Sequence, residues 1–239
     1  MEIQLKSEIE VKLIQKMGGD SMVCAAAKVS TSGEDALLLV DEEANFGLIN
    51  YLMKHRHGTP FEHASLTFFV HAPIFVWREW HRHRVGFSYN EESGRYKQLN
   101  PVFWIPKRER KLIPEPGYKS ARPKFVEAPL EVYENLVFNL EKSYEASYEK
   151  YSYLLTQDIA KEVARAVLPV AIFSSCWVTT NPRALMHFLS LRTHEPEGAR
   201  FISYPQAEIE QAARGCEEIL KEGWPLVYKA WVENGRVAP

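Results

Sequence analysis

Residues 9–16, IEVKLIQK, alternate apolar and charged side chains, the period of a strand with one buried face. Residues 23–30, VCAAAKVS, are small and mostly apolar and predict a buried helix. Between 41 and 55, Phe46, Ile49, Leu52 and Met53 recur at helical spacing behind Asp41, which the pattern makes the helix cap. The β-branched and aromatic run SLTFFVH, 65–71, predicts another strand. Pro73 then suits the first turn of a helix through IFVWREWHRHR. On such a helix Arg78 and Arg82 share a face at a repulsive spacing, and Glu79 can pair with His83. Helical periodicity covers 130–168 and 206–221, and Asn181-Pro182 supplies a cap and first-turn proline for RALMHFLSLR. The mixture predicts an α+β fold, a mixed sheet packed with helices.

Between 101 and 129 the periodicity stops. Six of the fourteen prolines fall there. A loop of that length inside a compact domain is functional or disordered as a rule. With no second core around it, the segment reads as an excursion from one domain spanning 1–239.

Composition adds limits. The 239 residues are 46% hydrophobic and 25% charged, with a net charge of -2. That is ample for a hydrophobic core and argues against a disordered chain. No apolar run reaches the roughly 20 residues a membrane span needs, and the N-terminal stretch lacks a signal-peptide core, so a cytoplasmic protein is expected. Cys24, Cys176 and Cys216 lie far apart with no C-x-x-C. They read as buried structural thiols, with Cys176, flanked by Ser174 and Ser175, as the alternative nucleophile.

Against this neutral background, RHRVGFSYNEESGRY, 82–96, carries three arginines. Guanidinium forks grip phosphate and carboxylate, and flat rings stack on them; Trp77 and Trp80 stand close by. The serine, glycine and arginine of SYNEESGRY suit a phosphate cradle. Six of the eight histidines fall between 55 and 83, with H-x-H at 55/57 and 81/83. A metal-dependent hydrolase is the alternative they raise. Only Glu62 and Glu79 are close in sequence, however, and no H-E-x-x-H occurs. A non-catalytic nucleotide- or RNA-binding protein is a further alternative, but it calls for a wider basic surface than a pI near 6.5 describes. Arg165 stands near a helix end. Arg183 and His187 are one turn apart, and Arg192 follows. His187 alone on a helix reads first as a core histidine.

Four ordered blocks, HGTPFEH (57–63), RHR with Ser93 and Arg95, ARAVLP (164–169) and NPRALMHFLSLR (181–192), together resemble the flavin-dependent thymidylate synthase family from about Val23 to about Trp231. The resemblance implies C5-methylation of dUMP to dTMP with FAD, NADPH as reductant and 5,10-methylene-tetrahydrofolate as carbon donor. It also implies a homotetramer with shared active sites, no cysteine nucleophile, and neither nucleic acid nor membrane as partner. By position, His57, Thr59, Glu62, Arg82, His83, Arg84, Asn181, Arg183 and His187 would bind FAD. Glu79, Glu91, Ser93, Arg95, Arg165 and Arg192 would bind the nucleotide, with Arg192 and Ser93 in catalytic roles and no metal. The family pattern differs at three places. VGFSYNEE, 85–92, is one residue longer than usual. Glu79 replaces a common glutamine, and 193–210 is extended. All three lie near the nucleotide or flavin, which raises UMP, in nucleoside biosynthesis, as an alternative substrate to dUMP.

Overall fold

The computed structural model describes residues 2–39, 43–117 and 124–239. In chain order the elements are β1 (Gln4–Lys6), β2 (Glu10–Met17), α1 (Asp20–Ser32), a 3-10 turn (Gly33–Leu39), α2 (Phe46–Lys54), a 3-10 turn (Thr59–Glu62), β3 (Ser65–Pro73), α3 (Ile74–Trp80) and β4 (Phe87–Glu91). Then follow β5 (Val102–Trp104), β6 (Ile113–Pro114), β7 (Phe125–Val126), α4 (Leu130–Thr156), α5 (Lys161–Ala164), a 3-10 turn (Arg165–Val167), β8 (Phe173–Thr180), α6 (Pro182–Arg192), α7 (Ala207–Gly223) and α8 (Pro225–Glu233). The α+β expectation holds, with a four-stranded sheet in the order β2-β3-β8-β4. Among the described residues no helix is long and apolar enough to cross a membrane.

The chain forms two compact units. One comprises Met1–Ile9, His71–Arg78 and Glu91–Ser175. Its core gathers Leu99, Phe103, Tyr144, Tyr148, Tyr151 and Ile172. Tyrosines recur along one face of α4, and their hydroxyls reach the backbone of the segment that follows the SGRY turn. Tyr148 donates to the Leu99 carbonyl at 2.9 Å, and Tyr144 donates to that of Trp104 at 3.0 Å. A buried tyrosine needs such a partner, so the helix fixes the path of 98–106. The proline-rich excursion is therefore structured at its start: β5 pairs in parallel with β1, Leu5 opposite Phe103. Further on, β6 and β7 pair antiparallel. Helical periodicity over 130–168 breaks after Thr156, where Asp158 adopts φ +55 and α5 restarts at Lys161.

The other unit comprises Glu10–Val70, Glu79–Asn90 and Cys176–Pro239. Here α2 packs on α8, α6 on α7, and α7 on β2. Trp80, Trp224, Trp231 and Phe188 are fully buried. Two predicted boundaries move. Asn45, not Asp41, caps α2, accepting from Leu48 N at 3.0 Å; Asp41 itself lies outside the described residues. Helix α3 stops at Trp80, with Pro73 at the end of β3 rather than inside the helix. Arg82, His83 and Arg84 therefore leave the helix, and the predicted helical neighbours Arg78/Arg82 and Glu79/His83 do not form. The extended segment 193–205 is tied down by a charge network that is buried at Arg236 and Glu217 and half-buried at Arg214. Arg236 pairs with Glu217 at 2.7 Å, both almost fully buried, and donates to Thr193 Oγ1 at 3.0 Å. Arg214 pairs with Glu195 and Glu210 and donates to the His194 carbonyl. Burial alone would raise the Glu217 carboxyl, but the Arg236 hydrogen bond and charge hold it below the usual range. Its stabilising contribution is therefore present above the ordinary carboxylate pKa and lost as pH falls through the lower folded value.

Removing one partner of a buried ion pair strands the other charge, at a cost of about 3–5 kcal/mol. Arg236→Ala is expected to lower the urea unfolding midpoint by that equivalent with little change in the slope, measured by circular dichroism.

Candidate active site

Helix α6 starts at a tight junction. The Asn181 side chain caps it, accepting from Ala184 N at 2.8 Å, and Pro182 fills the first turn. This cap was readable from the sequence. Across from it, Gly86 lies flat on the helix start with φ +72. A Cβ there would stand 2.7 Å from Ala184 Cβ and 3.1 Å from Asn181 Nδ2. Thr180 Oγ1 donates to the Gly86 carbonyl at 2.8 Å and fixes the turn. The RHR loop is thus clamped against α6. Between them opens a cleft of about 490 Å³, lined by Glu62, residues 82–87, and Asn181, Arg183, Ala184 and His187.

The charges in this cleft divide into two kinds. Arg183 is partly committed: it pairs with Glu62, donates through Nε to the Pro239 carbonyl at 2.6 Å, and lies flush against the Gly58 backbone. His57 and Thr59 flank that contact, whereas of the three HGTPFEH positions only Glu62 lines the cleft. Arg84 donates weakly to the His81 carbonyl at 3.4 Å. The Arg82 guanidinium makes no hydrogen bond or ion pair among the described residues; only its main-chain N–H donates, to the Glu79 carbonyl at 3.4 Å. His187 is not a core residue; it is exposed on the cleft wall. Partial burial, then the charges of Arg183 and Arg56, keep its imidazole below the ordinary histidine pKa.

Arg192, at the last turn of α6, meets the end of α3. One terminal nitrogen pairs with Glu79 Oε2 at 2.6 Å, the other donates to the Glu79 carbonyl at 3.3 Å, and Nε donates to His83 Nε2 at 3.1 Å. Burial, then the charges of Arg192 and His187, push His83 down to about 4. His83 is therefore neutral at physiological pH. Its ring packs edge-on against Phe188 and Phe87.

The first unit holds Glu91, Ser93, Arg95 and Arg165, expected from the sequence to bind the nucleotide. Glu91 is the last residue of β4 rather than part of a turn, and Ser174 Oγ donates to it at 2.6 Å. The turn begins at Ser93, whose hydroxyl accepts from Arg95 N at 3.2 Å. Gly94 is buried, and a Cβ there would press on the Arg165 stem at 3.2 Å. Arg95 pairs with Glu162 at 2.7 Å. Arg165 makes no hydrogen bond or ion pair through its guanidinium among the described residues. The three thiols are buried, and burial pushes Cys216 well up. Among the described residues no three His, Cys, Asp or Glu side chains gather as a metal site.

The family described as Thymidylate synthase complementing protein matches residues 12–226. A flavin-dependent thymidylate synthase of Streptomyces coelicolor is 51% identical over 242 aligned residues, covering 100% of this chain and 96% of its own. One from Tropheryma whipplei is 48% identical over 235 residues, covering 98% and 96%. The chain belongs to the flavin-dependent thymidylate synthase family. A solved structure of a UMP/dUMP methylase PolB from Streptomyces cacaoi bound with 5-Br UMP is 41% identical, with a TM-score of 0.90 and both chains covered in full.

The cleft's donor set fits the flavin that gives this synthase family its name. Arg82, Arg84, the Asn181 amide and two neutral imidazoles surround an opening walled by Phe87, a mix that suits a pyrophosphate joined to flat rings. Three contributors escaped the sequence reading: Gly58, Gly86 and Glu162. The first two carry a weak signal, a glycine within three residues of an arginine, but their partners on α6 lie about a hundred residues away. Glu162 carries none.

Placing a Cβ at Gly86 costs left-handed backbone strain and overlap with α6, together about 1–3 kcal/mol. Gly86→Ala is expected to weaken FAD binding at least several-fold and lower the melting temperature, read by flavin fluorescence and calorimetry.

Proposed function

We propose that the chain replaces the C5 hydrogen of a uridylate with a methyl group at a bound FAD, taking the carbon from 5,10-methylene-tetrahydrofolate and electrons from NADPH. The observation that carries this reading is the position of Arg192, a half-buried guanidinium held against His83 in the wall of a cleft whose donors suit a flavin. The exchange at C5 loses one proton and needs two electrons for a methylene carbon to end as methyl. The reduced flavin, when bound, supplies those electrons as hydride.

The chain's residues do the rest. Arg192 stabilises negative charge that develops on the uracil ring, acting as a fixed dipole and charge rather than as a proton donor. Arg95, Arg165 and Ser93 take the nucleotide phosphate, and Glu91 meets the sugar or base. Arg82, His83, Arg84, Asn181, Arg183 and His187 hold the cofactor, with His57, Thr59 and Glu62 supporting it through the Gly58–Arg183 contact. A homotetramer with shared sites belongs to the same reading, and so does a folate-binding surface.

UMP is a second substrate in this proposal. Its support is the full-length likeness to a protein described as a UMP/dUMP methylase, also solved with 5-Br dUMP at 43% identity. Discrimination against a hydroxyl needs a dedicated polar contact.

Anaerobic incubation with FAD, NADPH, methylene-tetrahydrofolate and equal dUMP and UMP, read by mass spectrometry, is expected to add 14 mass units, the ~14 Da of one CH₂, to dUMP and to UMP. Arg192→Ala is expected to end both reactions at saturating flavin. Methylation of dUMP alone would remove the UMP assignment, and no methylation of either would remove the function.

A further inference from the structure

Glu79 stands where α3 ends, and it holds Arg192 twice, through its carboxylate at 2.6 Å and its main-chain carbonyl at 3.3 Å. The guanidinium is planar and rigid, so fixing its two terminal nitrogens also fixes Nε. Nε is aimed at His83 Nε2, 3.1 Å away. An imidazole nitrogen that accepts a hydrogen bond carries no proton, so this contact selects the tautomer of His83 protonated at Nδ1. His83 lines the cleft, and Arg192 touches the cleft wall through this contact.

We propose that Glu79 is a positioning residue that acts through Arg192 on His83, so that engagement of Arg192 by uridylate and binding of flavin beside His83 are energetically coupled. The identities of the two ligands rest on the function proposed above; the relay itself does not. A uridylate that recruits the terminal nitrogens must turn or share the fork. Nε turns with it, and His83 loses or strengthens its partner. Linkage then requires that flavin binding alter nucleotide affinity by the same factor. The surroundings leave His83 few alternatives. Phe188 and Phe87 cover its ring, and the Tyr89 hydroxyl is spent on the His83 main-chain carbonyl. His187 and Arg192, the charged or titratable neighbours acting on it, both oppose protonation. A glutamine at 79 could still accept from Arg192, but without the charge that balances the guanidinium in a half-buried position.

The test has two arms. In ligand-free protein labelled with 15N-histidine, ring nitrogen shifts report the His83 tautomer, assigned with His83→Gln. Wild type is expected to show the form protonated at Nδ1. Glu79→Ala should shift it toward a mixture with the Nε2 form, and Glu79→Gln should largely restore it. An unchanged tautomer in Glu79→Ala overturns the relay. If that variant does not fold, Arg192→Lys, which lacks the fork, must release His83 in the same way, and an unchanged tautomer there overturns it too. The second arm measures FAD affinity by fluorescence with and without saturating dUMP. Wild type is expected to change by about fivefold or more, the usual lower range of site coupling. In Glu79→Ala that factor should fall to within about twofold of none. The same factor in both proteins, or no coupling in wild type, overturns the coupling. A wild type that binds FAD but not dUMP would sink the uridylate reading instead, and the tautomer arm would then decide the relay alone.

Discussion

The cleft between the RHR loop and α6 depends on one close approach, the backbone of Gly86 laid on the capped first turn of α6. A left-handed turn with φ +72 lets the chain reverse after Arg84. The absent side chain lets that turn sit against Ala184 and Asn181. Because the cap consumes Asn181 Oδ1, its amide nitrogen remains for a ligand. The same helix then carries Arg183, His187 and Arg192 at successive turns along its length. One capped helix therefore sets the height and direction of four functional groups, and one glycine sets the RHR loop against them.

The arginines of this chain, whose net charge is -2, fall into two groups. Those committed to internal partners do structural or positioning work. Arg236 and Arg214 secure the 193–205 segment, Arg183 secures the HGTPFEH turn, and Arg192 is aimed by Glu79. Arg82 and Arg165 stand apart, their guanidinium groups without a hydrogen bond or ion pair among the described residues. An unpaired guanidinium retains its capacity for a charge-assisted contact with phosphate. Arg95 is intermediate: its partner Glu162 is half-exposed, a pairing weak enough in water for a phosphate dianion to displace.

Features encoded locally were legible in the sequence. Asn181-Pro182 announces its own helix, and SLTFFVH its own strand. The four motif blocks identified the chemistry because each keeps its anion-gripping residues within a few positions. Features set by distant partners were not. Helix α3 stops at Trp80 because the chain must turn to meet α6, so the helical neighbours expected for Arg82 and His83 never form. Glu79 finds Arg192 at a separation of 113 residues. Strand β8 hides because its inward positions are Ser174, Cys176, Val178 and Thr180, while Trp177 points out. Small polar side chains facing inward mask the alternation that marks a strand. Helix α4 was overextended because nothing in its periodicity marks the left-handed residue Asp158.

The most direct test of the account is a flavin titration of wild type against Arg82→Ala. Since the Arg82 guanidinium makes no hydrogen bond or ion pair among the described residues, its loss should leave the fold and melting temperature unchanged. A lost charged hydrogen bond of about 1.5–3 kcal/mol corresponds to roughly 10- to 100-fold weaker FAD binding. That loss, in a protein of unaltered stability, would place the flavin in the cleft between the RHR loop and α6. Wild-type FAD affinity in Arg82→Ala would contradict the assignment of that cleft.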